Sequence, residues 1–330
     1  MSLTEHPAGE ASGSGITHRS VEVGPLAMHI AEAGSGPLVL LLHGFPECWY
    51  SWRHQLPALA AAGYHVVAPD QRGYGRTGAP GDGGVDKYTM LHLVGDVIGL
   101  IDALGEEQAV VVGHDWGAPV AWNTALLRPD RIRGVVGLSV PYTPRGSTPP
   151  LELLRAVFSD RFYICYFQQP GVADAELSRD PRSTFRRMLV AASGDGPLGG
   201  IPVVPEGGGF LDLCPEPEQL PGWLTESDID VFVEEFARSG FTGPLNWYRT
   251  LDLSWELSAA WWHAKVTVPA LYLAGDRDLA VSFTGGTNGL ADIITDLREC
   301  RLLPGCGHWT QQERPAEVNE AMIAFLSGLD

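Results

Sequence analysis

The sequence has few cysteines, few basic residues and no long apolar run. Its 330 residues include 5 cysteines, and no two of them form a C-x-x-C pair. Disulfide frameworks need more cysteines and an even number, so a reduced cytoplasmic setting is the simpler expectation. Cys300 and Cys306 could form half of a metal site with His308, but no second ligand pair accompanies them, and we expect no metal.

The shortage of basic residues argues against two classes of partner. Lys and Arg total 22 against 40 Asp and Glu, which gives a formal net charge of −18. So acidic a surface repels nucleic acid and anionic membranes, and we expect neither as a partner. No apolar run approaches the ~20 residues of a membrane span. Residues 1–17 lack the apolar core of a signal peptide and are predicted to be a disordered leader.

The apolar pattern of the sequence predicts strands that alternate with helices over residues 18–141 and again over 265–330. The run at 37–44 is continuously apolar, as in a strand covered on both faces. Such alternation predicts an α/β fold with a mostly parallel sheet flanked by helices. Residues 142–264 interrupt it with helical stretches and are predicted to form a helical cap domain inserted into the core. The pattern also predicts helices at 151–167, 173–194 and 282–295 and a strand at 300–308.

The segment "VVGHDWGAPVAW" at 111–122 contains a strand–turn–helix elbow of the form G-x-nucleophile-x-G, with Asp115 as the nucleophile. Asp278 and His308 also follow predicted strands, and ligands bind beyond the carboxyl ends of such strands. The order nucleophile, acid, histidine is that of α/β hydrolases. Singly, these residues could be a helix cap, a turn residue and a core histidine. Together they predict a catalytic triad, with Asp276 as the alternative acid.

The segment "HGFP" at 43–46 follows the apolar strand and can turn backbone N–H groups towards the same site. The N–H groups of Phe45 and Trp116 are the predicted oxyanion hole, although "HGFP" could also be an ordinary turn. His43 and His114 flank the site and are interpreted as structural. The tryptophans Trp49, Trp52, Trp116 and Trp309 predict an apolar, partly dry substrate pocket, with Phe45, Trp116 and Trp309 among its expected lining residues.

After residue 17 the whole chain resembles an epoxide hydrolase of the α/β-hydrolase fold. The segments that carry the resemblance are "HGFPECWYSWRHQLPAL", "DQRGYGRT", "GHDWGAPVAW", "YFQQPGVADAELSRD", "GFTGPLNWYRT" and "GCGHWTQQERPAEV". The resemblance implies that two cap tyrosines, Tyr163 and Tyr248, hold the epoxide oxygen, with Tyr166 as the alternative to Tyr163. It also adds Phe167 to the residues that line the pocket.

The implied chemistry explains the carboxylate at the elbow. An epoxide carbon is saturated and must be displaced from the back; a carboxylate then leaves a hydrolysable ester, whereas a serine would leave an ether. Asp115 would attack, the tyrosines would protonate the ring oxygen, and His308, oriented by Asp278, would activate water to release a vicinal diol. This reaction needs an epoxide and water but no cofactor, and a monomer or homodimer could perform it.

Three other functions remain open at this stage. A haloalkane dehalogenase uses the same triad but usually has a second halide donor where Phe45 stands, and it lacks the paired cap tyrosines. A fluoroacetate-type enzyme would have arginine at Trp116, and a non-catalytic receptor would not need the intact triad. The loop at 194–222 is expected to set the size of the substrate tunnel.

Overall fold

The computed structural model describes residues 15–80, 84–197 and 200–329. Over these residues the chain folds around one 8-stranded sheet. The strands are β1 (Thr17–Val23), β2 (Leu26–Ala33), β3 (Leu38–Leu42), β4 (His65–Pro69), β5 (Ala109–His114), β6 (Ile132–Leu138), β7 (Ala270–Gly275) and β8 (Leu297–Leu303). Their order in the sheet is β1-β2-β4-β3-β5-β6-β7-β8. Strands β3 to β8 run parallel, and β1 and β2 form an antiparallel hairpin at one edge.

Burial of the strands follows their place in the sheet. Every residue of β3, β5 and β7 is buried, as expected for parallel strands covered by helices on both faces. The edge strands β1 and β8 instead carry many exposed or half-buried residues. The predicted class, a mostly parallel sheet flanked by helices, is confirmed.

Helices cover a large part of the remaining described chain. They are α1 (Gln55–Ala61), α2 (Met90–Ala103), α3 (Gly117–Leu127), α4 (Pro150–Phe158), α5 (Tyr163–Tyr166), α6 (Val172–Ser178), α7 (Pro181–Ala191), α8 (Glu226–Ser239), α9 (Thr242–Arg249), α10 (Leu251–Leu257), α11 (Leu279–Phe283), α12 (Leu290–Ile293), α13 (Thr310–Glu313) and α14 (Pro315–Ser327). Within the described ranges, none of them has the length and apolar character of a membrane-crossing helix.

Helices α4 to α10 all lie in the chain between β6 and β7, the interval in which the sequence pattern predicts the cap. They pack on one another, for example α7 on α8 and α4 on α10. The boundaries 142 and 264 of a separate cap domain stay a prediction. Residues 1–14 of the predicted leader lie outside the described residues, and Thr17, its last residue, already belongs to β1.

Several predicted element boundaries are wrong, for local reasons. The helix expected over 151–167 is broken after Phe158 by Ser159, whose φ is 96°. The helix expected over 173–194 divides at Asp180, whose side chain caps α7 ahead of Pro181. Proline and residues with positive φ do not continue a helix.

Two further predictions fail near the end of the sheet. The helix expected over 282–295 is two short helices, α11 and α12, because Gly285 and Gly286 between them adopt φ of 95° and 74°. The strand expected over 300–308 lies earlier, at Leu297–Leu303, and ends where Gly305 turns the chain with a φ of 70°. Glycine favours such turns because it lacks the Cβ that makes positive φ costly.

A glycine substitution tests how tightly α3 docks on the sheet. A Cβ on Gly117, the first residue of α3, would lie 2.0 Å from the carbonyl oxygen of Leu42. Gly117→Ala should therefore lower the free energy of unfolding by about 1–3 kcal/mol, the usual cost of overpacking. Gly95→Ala is the matched control, since nothing lies within 4 Å of its Cβ position in α2. That variant should be more stable than the wild type by about 0.5–1 kcal/mol. Urea unfolding measures both, and equal effects would contradict the close approach.

Candidate active site

Asp115 stands at a sharp turn between β5 and α3. Its φ is 49°, in the left-handed region where aspartate is one of the few tolerated residues. The Ala118 N–H donates to the Asp115 carbonyl at 3.0 Å and starts the helix directly after the turn. The turn lifts the Asp115 carboxylate above the carboxyl edge of the sheet, which is how a nucleophile elbow presents its side chain.

His308 lies between two carboxylates. Its Nε2 is 3.4 Å from Asp115 Oδ2, and its Nδ1 is 3.1 Å from Asp278 Oδ1. Asp278 is buried and also accepts a hydrogen bond from the Ala280 N–H at 2.9 Å. Asp276, the alternative acid, instead accepts from the Gly305 N–H at 2.7 Å. The structure therefore brings Asp115, His308 and Asp278 into one chain of contacts.

The backbone of the "HGFP" segment contacts the nucleophile. The Phe45 N–H donates to Asp115 Oδ1 at 2.7 Å. His43, just before it, is fully buried and holds the segment in place: its Nδ1 lies 3.0 Å from the Gly44 carbonyl, and its Nε2 accepts from the Gln71 N–H at 3.1 Å. One of the two predicted oxyanion donors is thus already bonded to the carboxylate; the Trp116 N–H stays a prediction.

The two cap tyrosines face the same space as Asp115. Tyr163 opens α5 and Tyr248 lies in α9, with their ring centroids 6.2 Å apart. Burial raises the pKa of each phenol well above its ordinary value, and the charge of Asp115 raises it further. Both are therefore neutral hydrogen-bond donors at ordinary pH. The hydroxyl of Tyr166 instead donates to Glu176 Oε2 at 2.8 Å, within the cap.

A largely apolar cavity of about 350 Å³ opens over these groups. Its lining includes the three triad residues, both tyrosines and the four predicted pocket residues Phe45, Trp116, Phe167 and Trp309. From the loop at 194–222 it takes Pro202, Phe210 and Cys214. A pocket of this size and character suits a small organic molecule. Among the described residues, no group of three or more His, Cys, Asp or Glu side chains is placed to hold a metal ion.

The charges of the triad are strongly coupled. Burial opposes a charged imidazole, but the carboxylates of Asp278 and Asp115 outweigh it and raise the pKa of His308 well above its ordinary value. Burial likewise opposes ionisation of Asp278, yet the charge of His308 and the surrounding hydrogen bonds hold the pKa of that carboxyl below its usual range. The site therefore holds a protonated His308 as long as both carboxylates are ionised.

Comparison of the chain with known proteins identifies its family. Residues 37–164 match the family model of the alpha/beta hydrolase fold. Epoxide hydrolase A of Mycobacterium tuberculosis is 47% identical over 95% of this chain and 98% of its own length. Epoxide hydrolase 3 of Siraitia grosvenorii is 44% identical over 94% of this chain and 98% of its own length. The crystal structure of epoxide hydrolase A from Mycobacterium thermoresistibile is 49% identical, covers 96% of this chain and 99% of its own, and superposes with a TM-score of 0.89.

The chain belongs to the epoxide hydrolases of the α/β-hydrolase fold. This confirms the family and the reaction class predicted from the sequence. The haloalkane dehalogenase alternative is not favoured, because these relatives, which match nearly the full length of the chain, are epoxide hydrolases.

The hydrolase also contains a buried ion pair beneath the triad that the sequence analysis missed. His114 Nδ1 lies 2.7 Å from Glu47 Oε2, and His114 Nε2 lies 2.7 Å from the His308 carbonyl oxygen. Both neighbours can accept hydrogen bonds, and each ring nitrogen of His114 is placed to donate one. The only available signal was Glu47 itself, an acidic residue directly after the apolar strand and "HGFP".

Glu47 connects the two loops that carry catalytic groups. Its carboxylate accepts from the Gly44 N–H at 2.8 Å and from the side chains of Gln311 and Gln312 at 3.1 and 3.0 Å. Burial would raise the pKa of Glu47, but the charge and hydrogen bond of His114 lower it to about 2. The loop that carries Phe45 is thereby tied to the loop that carries His308.

Removing this carboxylate should be costly. Glu47→Gln leaves the His114 charge uncompensated, and breaking one side of a buried pair costs about 3–5 kcal/mol of unfolding free energy. The pKa of Glu47 in the folded chain is below the ordinary 4.5, so its contribution is present above pH 4.5 and is lost as the pH falls towards 2. Urea unfolding at a series of pH values should show that stability falls less steeply in the variant over this range.

A matched control for this prediction is Glu216→Gln. Glu216 forms an exposed ion pair with Arg186 at 3.2 Å. Exposed pairs contribute little, so this variant should change the free energy of unfolding by less than about 1 kcal/mol. Equal losses in the two variants would show that burial of the Glu47–His114 pair does not matter.

Proposed function

We propose that this hydrolase opens epoxides through a covalent ester on Asp115 and then hydrolyses that ester to a vicinal diol. The observation that carries the proposal is the position of His308, with one nitrogen 3.4 Å from Asp115 and the other 3.1 Å from Asp278. In this arrangement the first carboxylate can react while the second keeps the imidazole oriented.

In the first step, Asp115 attacks one epoxide carbon and the carbon–oxygen bond of the ring breaks. The departing oxygen takes a proton from Tyr163 or Tyr248, whose phenols line the cavity above Asp115. Since both phenols are neutral and sit in an apolar environment, their hydrogen bonds to the developing alkoxide are strong. The product of the step is an alkyl ester of Asp115 that carries a hydroxyl on the neighbouring carbon.

Ester formation also prepares the base for the second step. The Asp115 carboxylate is one of the two charges that raise the pKa of His308, and esterification neutralises it. The pKa of His308 then falls, and the imidazole releases its proton, which returns to the tyrosine that protonated the ring oxygen. The neutral imidazole can remove a proton from water only after there is an ester for that water to attack.

In the second step, the water activated by His308 attacks the ester carbonyl of Asp115. The Phe45 N–H, which already donates to Asp115 Oδ1 at 2.7 Å, stabilises the oxyanion together with the Trp116 N–H. Collapse of the intermediate releases the diol and returns a carboxylate on Asp115 and a proton on His308. All atoms come from the epoxide and one water molecule, so we propose that no metal or cofactor takes part.

The substrate we propose is an apolar epoxide small enough for the cavity of about 350 Å³. We further propose that the enzyme works without nucleic acid or membrane partners, as a monomer or homodimer in the cytoplasm. The acidic net charge of −18 supports the first point. The unpaired state of all 5 cysteines supports a reducing compartment.

The assignment of the tyrosines is tested by removing their hydroxyls. Tyr163→Phe and Tyr248→Phe should each slow ester formation. The double variant should form the ester roughly 10²–10⁴-fold more slowly than the wild type, which is the usual contribution of positioned acid catalysis. Rapid-quench measurement of the ester in a single turnover reports this step. Tyr166→Phe is the control, since its hydroxyl is bound to Glu176, and it should react at the wild-type rate. A slow Tyr166→Phe beside a normal Tyr163→Phe would reverse the assignment.

The division into two steps is tested at the base. His308→Gln keeps much of the side-chain volume but cannot accept the proton of water, so the ester should form and accumulate. Intact-protein mass spectrometry after addition of an epoxide such as styrene oxide should show one adduct of the substrate's mass, on the peptide that contains Asp115. Asp278→Asn should show a milder accumulation, because the imidazole remains but loses its counter-charge.

A histidine outside the site provides the control for this experiment. His263 is exposed, and His263→Gln should turn over normally without accumulating an adduct. Diol release by His308→Gln at the wild-type rate, or an adduct on a different peptide, would refute the two-step mechanism.

A further inference from the structure

Ser139 follows β6 directly, at the carboxyl edge of the sheet where the triad assembles. In the sheet order β6 lies between β5, which leads to Asp115, and β7, which leads to Asp278. The turn after β6 is therefore placed between the nucleophile and the acid. Ser139 is fully buried in this position.

The backbone of Ser139 is held in a rare conformation. Its φ is 70°, and the Val140 N–H donates to the Leu138 carbonyl at 2.9 Å, across Ser139 alone. A turn of only three residues with positive φ is uncommon and strained. Two bonds to β7 fix it: the Ser139 N–H donates to the Leu273 carbonyl at 3.0 Å, and the Tyr272 hydroxyl donates to the Ser139 carbonyl at 2.6 Å.

This conformation directs the hydroxyl at the His308–Asp278 contact. Ser139 Oγ lies 3.0 Å from His308 Nδ1, as close as Asp278 Oδ1 at 3.1 Å. Nδ1 carries a single hydrogen, which the two oxygens share as acceptors. The hydrogen of the serine hydroxyl is then free to be donated elsewhere.

Asp278 is the acceptor available to that hydrogen. Its Oδ1 is occupied by His308 and by the Ala280 N–H, whereas its Oδ2 is buried and has no close hydrogen-bond partner among the described residues. A buried carboxylate oxygen without a donor is costly. The Ser139 hydroxyl lies against this carboxylate and is one of the groups that keep the pKa of Asp278 low, after the charge and hydrogen bond of His308.

We propose that Ser139 is a positioning residue of the hydrolytic step, bridging His308 and Asp278 by accepting from Nδ1 and donating to the carboxylate. The bridge fixes the imidazole as its charge changes and keeps Asp278 ionised when His308 is neutral. This inference rests on the proposed function, in which His308 acts only on the ester. It predicts an effect on ester hydrolysis and none on ester formation, because Ser139 touches neither Asp115 nor the tyrosines among the contacts described.

The test removes the hydroxyl in two ways, Ser139→Ala and Ser139→Gly. Glycine accepts a φ of 70° without strain, so a shared effect of both variants comes from the hydroxyl and not from the backbone. Hydrolysis of the isolated ester should slow roughly ten- to a hundredfold, as for loss of a hydrogen bond to a charged group. Both kcat and KM should fall, while kcat/KM changes by less than about threefold, because the ester forms normally.

Thr124→Val is the matched control, since Thr124 is equally buried and its hydroxyl donates to the Val120 carbonyl of its own helix at 2.8 Å. It should leave both steps unchanged. Wild-type hydrolysis in both Ser139 variants would overturn the proposal, and so would equal slowing of ester formation and hydrolysis, which would mark a purely structural serine. If His308→Gln accumulates the ester while the Ser139 variants hydrolyse it normally, only the role of Ser139 fails. If no ester forms on Asp115 in any variant, the proposed function fails instead.

Discussion

One buried imidazole shared between two carboxylates is the interaction on which the rest of the site depends. His308 contacts Asp115 through one nitrogen and Asp278 through the other, and the two negative charges together hold its proton. In the mechanism we propose, esterification of Asp115 removes one of these charges. The same geometry would then store a proton before the first step and act as a base after it.

The apolar cavity determines how strong these interactions are. Its walls, formed by aromatic and aliphatic side chains over the triad, keep the phenols of Tyr163 and Tyr248 neutral. In water a phenol would donate only weakly to an epoxide oxygen, since solvent would compete for it. In a cavity with little water, few other hydrogen-bond donors compete with the phenols for the charge that develops on the ring oxygen.

The loop that carries His308 is held on two sides. From below, Glu47 and His114 tie it to the loop of Phe45. From above, α7 and the residues after it contact the loop, because the His308 N–H donates to the Ala192 carbonyl at 2.9 Å and the Trp309 indole donates to the Leu189 carbonyl at 2.7 Å. Hydrogen bonds therefore hold the His308 loop to the Phe45 loop on one side and to α7 and the residues after it on the other. Such fixation keeps the catalytic groups in the precise geometry that the reaction needs.

The sequence by itself determined the sheet, the family and the residues that end its strands. The apolar run at 37–44 and the elbow around Asp115 are local patterns, and a local pattern can be read without knowing what packs against it. The helix expected over 282–295 failed because glycines with positive φ outweigh a weak apolar periodicity. Only the tertiary structure shows that Asp278 contacts His308 while Asp276 does not, and that the Tyr166 hydroxyl is bound to Glu176, since each contact depends on which way a side chain points. It alone revealed Ser139 and the Glu47–His114 pair, because their partners lie far away along the chain and meet them only when β3, β5, β6, β7 and β8 align in the sheet.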